Sequence, residues 1–326
     1  MPCKHYYSVS DFYKRKFGTK IYKLSLDAGC TCPTRDGTKG TGGCTFCSAS
    51  GSGDFAASRS RSLSEQIVQA RQLVQHKNKD GRYIAYFQNF TNTYGAPAAL
   101  EAAYRESLAA PDMAGIAIAT RPDCLGDDIL HRIAALCETT FVSIELGLQT
   151  ANDSTARHVG RGYETAVYDD AVRRIYRANP AIHVVTHVIF GLPGETDADM
   201  LQTVRRAVRA GTDGIKIAVL HVLRGTPLAE EYASGAFSCM EMEEYFDTVS
   251  RALELLPPDT VVHRLTGDGA KRLLAAPLWT ADKHAVLNGM ERWFESHGVQ
   301  QGRHAEENGA IAAGDGADRS AVSRCR

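Results

Sequence analysis

The run Ile21-Tyr-Lys-Leu-Ser-Leu-Asp-Ala28, followed by Cys32-Pro-Thr-Arg-Asp-Gly-Thr-Lys-Gly-Thr-Gly-Gly-Cys44-Thr-Phe-Cys47, decides how the rest of the chain is read. Its first half is apolar and strand-like. Its second half places three cysteines in a loop whose glycines, Gly37, Gly40, Gly42 and Gly43, let the backbone wrap a bulky inorganic core without Cβ clashes. Three thiolates are one fewer than a closed zinc site or an inert iron–sulfur cluster uses, and an open position leaves a metal free to act on another molecule. Cys44-x-x-Cys47 alone also reads as half a zinc knuckle or a redox pair, but no second Cys-x-x-Cys pair accompanies it. Cys30 would complete a four-cysteine set and is read as a bystander. Cys3, Cys124, Cys137, Cys239 and Cys325 are scattered singly, as small buried hydrophobes or loose-end thiols are.

The 326 residues allow one large domain or two ordinary ones, and 44% hydrophobic with 23% charged residues places the chain among soluble globular proteins. The segment Met1 to Asp11 lacks the apolar run of a secretory signal, and the longest apolar stretch, near Ile182 to Leu192, is too short to span a bilayer. The reading is therefore a cytoplasmic protein with no membrane partner. Nine cysteines, an odd number without disulfide-scaffold spacing, fit a reducing compartment. A formal net charge of −1 gives no global case for nucleic-acid binding. Locally, Lys14, Arg15, Lys16, Lys20 and Lys23 interleave with Phe12, Tyr13, Phe17 and Tyr22, a mixture suited to phosphates and bases. An amphipathic helix with its aromatics on the core accounts for it equally well.

Strand-like runs at Ile21–Asp27, Tyr83–Gln88, Gly115–Ala119, Phe141–Leu146, His183–Phe190 and Gly214–Leu220 alternate with helical periodicity over Leu63–His76, Ala98–Ala109, Asp127–Cys137, Tyr163–Ala178 and Asp197–Ala210. Such alternation implies parallel strands joined by right-handed crossovers. The expected fold is α/β, a partial (β/α)6 TIM-like barrel over residues 1–225. A C-terminal α/β extension, residues 226–297, is expected to cover its open side or edge. It holds helices Glu241–Leu256 and Lys283–Ser296 around a strand at Thr260–Leu265. Residues 298–326, rich in Gly, Ala, Asp and Arg without periodicity, read as a disordered tail.

In parallel βα architectures the active site gathers at the strands' C-terminal ends. Polar signatures recur there. The cysteine loop follows the first strand, Gln88-Asn-Phe-Thr-Asn-Thr-Tyr94 the second and Thr120-Arg-Pro-Asp123 the third. The fourth ends in Glu145-Leu-Gly-Leu-Gln149, the fifth in Gly191-Leu-Pro-Gly-Glu195, and the sixth leads to His221. Six such loops argue for one shared mouth.

These motifs resemble the radical S-adenosylmethionine enzymes, and within them the branch that includes the catalytic subunit of Elongator, over roughly residues 20 to 225. A closer resemblance, reaching to about Trp293, is to a small bacterial-type group that includes YtqA and YhcC. It rests on Cys32-Pro-x-Arg-Asp-Gly, Gly-Gly-Cys44-Thr-Phe-Cys47, Tyr86-Phe-Gln-x-x-Thr-Asn-Thr-Tyr94, His221-Val-Leu-x-Gly-Thr-Pro227 and His263-Arg-Leu-Thr-Gly-Asp-Gly269. Cys30 departs from the group, which carries an aromatic residue there. The resemblance implies a [4Fe–4S] cluster on Cys32, Cys44 and Cys47. S-adenosyl-L-methionine would chelate the fourth iron and be cleaved by one electron to a 5′-deoxyadenosyl radical. Gln88, Thr91 and Asn92 are then candidates for its methionine end, Glu145 and Gln149 for its amino acid or ribose, Thr120 and Arg121 for the same ligand or the substrate, and Gly191 for adenine.

Each candidate also has a plain structural reading. Glu145 suits a buried ion-pair partner of Arg121 or Arg161; Arg121-Pro-Asp123 suits a turn with a helix cap; Gly191-Leu-Pro-Gly194 suits a strand-to-helix turn. Lys216 and His221 suit either substrate contact or structure, and His263 and Asp268 suit a supporting role. No catalytic side chain is assigned. The resemblance further implies tRNA as substrate: removal of the carboxymethyl group from wobble 5-carboxymethylaminomethyl-(2-thio)uridine to leave the aminomethyl form. An electron donor such as flavodoxin or ferredoxin is implied as well. Lys14, Arg15, Lys16, Lys20, Lys23, Arg173, Arg174, Arg177 and Lys271 are candidate phosphate contacts. The same radical chemistry on a small metabolite or protein, and a non-catalytic metal-binding regulatory module, are the competing readings.

Overall fold

The computed structural model describes residues 5–49, 51, 61–76, 81–267 and 269–308. In chain order the elements are α1 (Val9–Phe17), β1 (Ile21–Leu26), α2 (Leu63–Val74), β2 (Arg82–Phe87), α3 (Pro97–Ala109), β3 (Met113–Thr120), α4 (Asp127–Leu136), β4 (Phe141–Gln149), α5 (Asp153–His158), α6 (Thr165–Ala178), β5 (His183–Phe190), α7 (Asp197–Ala210) and β6 (Gly214–Val219). There follow β7 (Val222–Leu223), α8 (Pro227–Ala233), α9 (Met242–Leu255), β8 (Val261–Arg264), β9 (Leu274–Ala276) and α10 (Lys283–His297). One parallel sheet runs β1-β2-β3-β4-β5-β6-β8, and β7 pairs antiparallel with β9. The six expected strands are present as the expected half-barrel, and the C-terminal strand adds a seventh beside β6.

Strand alternation separates two environments. Leu24 and Leu26, Ala85 and Phe87, Ile116 and Ile118, Ile144 and Leu146, and Ile215 and Ile217 face the helices and form one apolar cluster with them. Each such buried aliphatic side chain contributes roughly 2 kcal/mol of apolar transfer. The intervening positions face the lumen and carry Lys23, Tyr86, Glu145, His187 and Lys216. Helix ends follow local chemistry: α7 starts with a reciprocal box, Thr196 accepting from the Asp199 amide and Asp199 from that of Thr196. It stops at Gly211, whose φ of 89° a side chain rarely adopts.

The basic N-terminal segment is the amphipathic helix α1. Its aromatics plug the lumen where the strands begin: Phe12, Tyr13 and Phe17 pack with Ile21, Ile84 and Phe141, and Phe12 stacks on His183 at 4.8 Å. Ser8 bridges Val262, so the same segment covers the outer side of β8.

The expected disorder beginning at residue 298 is corrected for residues 298–308. Val299 is buried, and Gln301 donates to the Pro257 and Thr260 carbonyls while accepting from the Tyr7 amide at 2.7 Å. Composition missed it because two buried amides, Gln301 and Asn308, anchor the segment in place of apolar periodicity. The remainder, 309–326, lies outside the described residues, as do Cys3, Asp268 and Cys325.

Arg161 fixes the exit of β4. Only 1% exposed, it donates to the carbonyls of Leu148 (2.7 Å), Thr150 (2.6 Å) and Tyr163 (2.9 Å) and to Asp153 (3.0 Å). Removing the guanidinium leaves buried carbonyls without donors. Arg161→Met is expected to lose about 3 kcal/mol of unfolding free energy; urea denaturation with an unchanged midpoint would refute this role.

Candidate active site

The cysteine loop leaves β1 at the C-terminal mouth of the sheet and is pinned from two sides. The Thr45 amide donates to the Val159 carbonyl at 2.9 Å, and the Leu228 amide, in α8, to the Thr45 carbonyl at 3.2 Å. Turns inside the loop, Arg35 amide to Cys32 carbonyl (2.8 Å) and Cys47 amide to Cys44 carbonyl (2.9 Å), fold it so that Cys44 and Cys47 meet and Cys32 lies near Cys47. Two guanidinium groups border it. Arg121 stands 4.0 Å from Cys32 Sγ, and Arg35 donates to the Ser48 carbonyl at 2.6 Å. Gly43 makes room for Arg35, because a Cβ there would lie 2.8 Å from its Nε.

Cys44 and Cys47 are hydrogen-bonded to each other. Their mutual hydrogen bond draws the Cys47 thiol below its usual range, helped by Arg35, while the same bond and burial push Cys44 well above. Among the described residues no three His, Cys, Asp or Glu side chains are grouped to hold a single metal ion. Cys30 is 6% exposed and belongs to the apolar core. Residues i and i+2 of an extended strand share a face, but β1 has ended at Leu26 and Gly29, with φ of 77°, turns the chain before Cys30.

The other candidates divide. Gln88 lies after β2, accepting from Ser25 Oγ at 3.3 Å. Thr91 is buried, its amide bonded to the Thr31 carbonyl beside the cysteine loop. Asn92 works as a clasp: Nδ2 donates to the Phe87 and Ala119 carbonyls, both at 2.9 Å, joining β2 to β3 and leaving Oδ1 without a hydrogen-bond partner among the described residues. Thr120 is buried against Thr93, 2.6 Å between hydroxyls. Arg121 forms a bidentate pair with Asp123, 2.9 Å for each bond, and lies over the Tyr163 ring. Lys39 reaches the same carboxylate at 2.6 Å, so the turn is both a structural pair and a charge beside the thiols.

Gln149 folds back at the end of β4 with φ of 58°, and a Cβ at Gly147 would strike its amide at 2.3 Å. Glycine in Glu145-Leu-Gly-Leu-Gln149 thus leaves the Gln149 amide its present place. Gly191 has φ of 83°, but the space a side chain would take there is held by Met240, 3.0 Å away. Glu145 sits apart from the cysteine loop, in the lumen. Its partners are Lys23 (2.6 Å), Tyr86 (2.7 Å), His187 (2.9 Å) and Lys216, and neither Arg121 nor Arg161. Burial opposes its charge, yet Lys216 and Lys23 hold the carboxyl well below its usual range. His221 is enclosed by Gly267 and Gly269, where a Cβ would lie 2.5 Å and 2.7 Å from its ring, respectively. His263 meets His183 at 3.0 Å.

This half-barrel, with a three-cysteine loop at its mouth, defines a class. The chain belongs to the radical SAM superfamily: residues 37–207 match the Radical SAM superfamily and residues 212–296 the Radical_SAM C-terminal domain. It is 40% identical over 311 residues to YtqA of Bacillus subtilis (94% of this chain, 96% of that protein). It is 36% identical over 287 residues to YhcC of Escherichia coli K12 (88% and 91%). Against the tRNA-2-methylthio-N(6)-dimethylallyladenosine synthase of Chloroflexus aurantiacus it is 28% identical over 180 residues, 53% of this chain and 37% of that protein. The structure of the archaeal Methanocaldococcus infernus Elp3 with an N-terminal deletion superposes with a TM-score of 0.63 at 14% identity. The match covers 86% of this chain and 64% of that one, and is a likeness of fold. The chain is thus a radical SAM enzyme, whose cofactors are a [4Fe–4S] cluster and S-adenosyl-L-methionine.

The loop fits such a group. Cys44 and Cys47 meet with Cys32 near Cys47, the Arg121 and Arg35 guanidinium groups stand beside these thiols and would offset the charge of thiolate ligands, and Gly43 keeps Arg35 close. Cys44→Ala is expected to lower iron and sulfide content after anaerobic reconstitution and abolish S-adenosylmethionine cleavage, whereas Cys30→Ala retains both. Full iron loading of the Cys44 variant would remove that residue from the ligand set.

Glu195 yields a pH prediction. Thr150 donates to one of its oxygens, and burial, outweighing the Thr150 and Thr155 hydroxyls, pushes the carboxyl up to about 7. The folded state holds this proton more tightly than the unfolded chain, so its contribution is present below about pH 4.5 and is lost as pH rises towards 7. Glu195→Gln should remove a decline on the order of 2 kcal/mol across that window. Identical slopes of stability against pH in both proteins would contradict it.

Proposed function

We propose that this enzyme modifies the wobble uridine of tRNA, converting the 5-carboxymethylaminomethyl-(2-thio) form to the 5-aminomethyl form. The supporting observation is the wall of the mouth beside β6. A cleft of about 530 Å³ is lined there by His221, Lys271, Arg272, Lys283 and His284, with Asp282 the one carboxylate among the described lining residues. In a chain of formal net charge −1, such a concentration of basic groups suits the phosphates of a looped nucleic acid. The segment from His221 to Leu228 runs from this cleft to the cysteine loop, where the Leu228 amide bonds Thr45. A base unstacked from a strand held in the cleft is therefore directed towards the thiols. A tRNA-modifying protein among the relatives agrees with this reading.

The other basic candidates are divided by the fold. Lys14, Arg15 and Lys16 are exposed on α1, below the lumen and away from the mouth, and its aromatics are committed to the core. Lys23 is engaged with Glu145, Arg173 with Asp170 and Arg174 with Asp127. Lys271 remains the member of the set beside the mouth.

Cys32, Cys44 and Cys47 would hold the cluster, which supplies the electron for reductive cleavage of S-adenosylmethionine when bound. Arg121 and Arg35 offset negative charge at the thiols. Gln88, Thr91, Thr120 and Gln149 offer polar contacts on neighbouring strand ends. Asn92 holds β2 to β3, and Gly191 seats Met240. The exposed rim Asp36–Lys39 leaves room for a small electron carrier such as flavodoxin or ferredoxin to approach.

Nucleoside analysis of tRNA from cells with and without the gene is expected to show the carboxymethylaminomethyl form accumulating in its absence. An unchanged wobble profile would move the assignment to a small metabolite or protein substrate. Lys271→Gln with Arg272→Gln should weaken tRNA binding about tenfold and flatten its salt dependence.

A further inference from the structure

The two ends of the half-barrel, β1 and β8, flank a second cleft of about 420 Å³, lined by Tyr13, Lys20, Lys23, Lys216, His263 and Arg264. Among the described residues no acidic side chain lines it. Two of the lining lysines reach the fully buried Glu145, Lys23 on one oxygen and Lys216 on the other. Arg264 makes no ion pair among the described residues, and its Nε is buried without a hydrogen-bond partner. His263 Nδ1 is in the same condition, its other nitrogen being bonded to His183. Two lysines thus share one carboxylate, Arg264 stands beside them without an ion pair among the described residues, and two buried ring or guanidinium nitrogens are left over.

Surplus buried charge is costly, and so is an unpaired buried polar nitrogen. One ligand satisfies both: a group with negative charge and two or more acceptor oxygens. We propose that the cleft between β1 and β8 is an oxyanion site that takes a carboxylate or a phosphate-type group against Lys216, His263 and Arg264. The inference is independent of the tRNA assignment and of the cluster.

The charge state of Lys216 agrees with this geometry. Burial, with Lys23 and Arg264 nearby, draws its ammonium down to about 7 against the pull of Glu145. The groups facing it are Glu145 from β4, Lys23 from β1, Tyr86 from β2, His187 from β5, His263 and Arg264 from β8 and Tyr13 from α1. An entering anion favours the protonated lysine, so binding takes up protons just above neutrality and weakens as pH rises.

Sodium sulfate, which does not titrate near neutrality, and sodium acetate are titrated separately into the reconstituted full chain. Calorimetry is run at constant ionic strength in two buffers of different ionisation enthalpy. Saturable binding of at least one probe is expected, with net proton uptake. Arg264→Gln should weaken it at least about tenfold, and Lys216→Met should eliminate the proton uptake. Preference for sulfate assigns the site to a phosphate-type group and preference for acetate to a carboxylate; either supports the proposal. Absence of saturable heat from both probes overturns it, as does wild-type affinity with wild-type proton uptake in Lys216→Met. That second arm stands alone if Arg264→Gln fails to fold.

Discussion

Glu145 is where the half-barrel is tied together. Side chains from four other strands, Lys23 of β1, Tyr86 of β2, His187 of β5 and Lys216 of β6, converge on one fully buried carboxylate of β4. Desolvating a carboxylate costs several kcal/mol, and only a full set of donors offsets it. Lys23 and Lys216 reach it from near opposite ends of the sheet. This contact across the lumen favours the curvature that a flat sheet would lack. Apolar side chains on the helix-facing side supply cohesion without direction. The lumen network supplies direction without much apolar area.

The lumen is therefore layered along the strands. At the strand starts it is closed by α1, whose Phe12 stacks on His183 and whose Tyr13 meets Phe141 and His263 edge to face. The charged layer lies next. At the strand ends the loops leave the sheet and carry the cysteines, Arg121 and Gln149. Cationic groups occur both in the middle layer and at the mouth, and they are compensated differently. Arg121 at the mouth has Asp123 in a bidentate pair. In the middle layer Glu145 is shared between two lysines, and Arg264 is left unpaired among the described residues. The difference in charge balance, rather than the presence of cations, distinguishes a structural pair from a cleft prepared for a ligand.

Much of this was legible in the chain because parallel βα units announce themselves locally. Each strand had its apolar run, each helix its period, and the polar motif at each strand end fell where the crossovers bring loops together. Cys32, Cys44 and Cys47 were readable as a set for the same reason: they lie in one loop, so the spacing that defines them survives folding. What the sequence concealed was long-range. The partners of Glu145 lie 122, 59, 42 and 71 residues away, and only the register of five strands aligns them. Arg121 and Arg161 were plausible partners by proximity in sequence, but Asp123 takes one and main-chain carbonyls with Asp153 take the other. A sharper signal was available: Lys23, Tyr86, Glu145, His187 and Lys216 each interrupt a strand at a position of the parity opposite to its apolar neighbours, which places all five on the lumen side.

The C-terminal segment is part of the same construction. A lid laid over a finished barrel would leave the sheet's hydrogen bonds unchanged, yet β8 pairs directly with β6 through Gly214↔Val261 and Ile215↔Val262, and supplies the Arg264 and His263 that line the lateral cleft. Beyond β8 the chain returns to the mouth, where Gly267 and Gly269 enclose His221 and β9 pairs with β7. β7 leads into α8, whose Leu228 amide holds the cysteine loop at Thr45. A single path of backbone pairing and close glycine contacts therefore runs from the lateral cleft, past the basic wall, to the thiols. Deleting the segment would expose the edge of β6 and also remove a support of the cysteine loop. For that reason the boundary between barrel and extension near residue 225 is a change of sequence pattern within one mechanical unit.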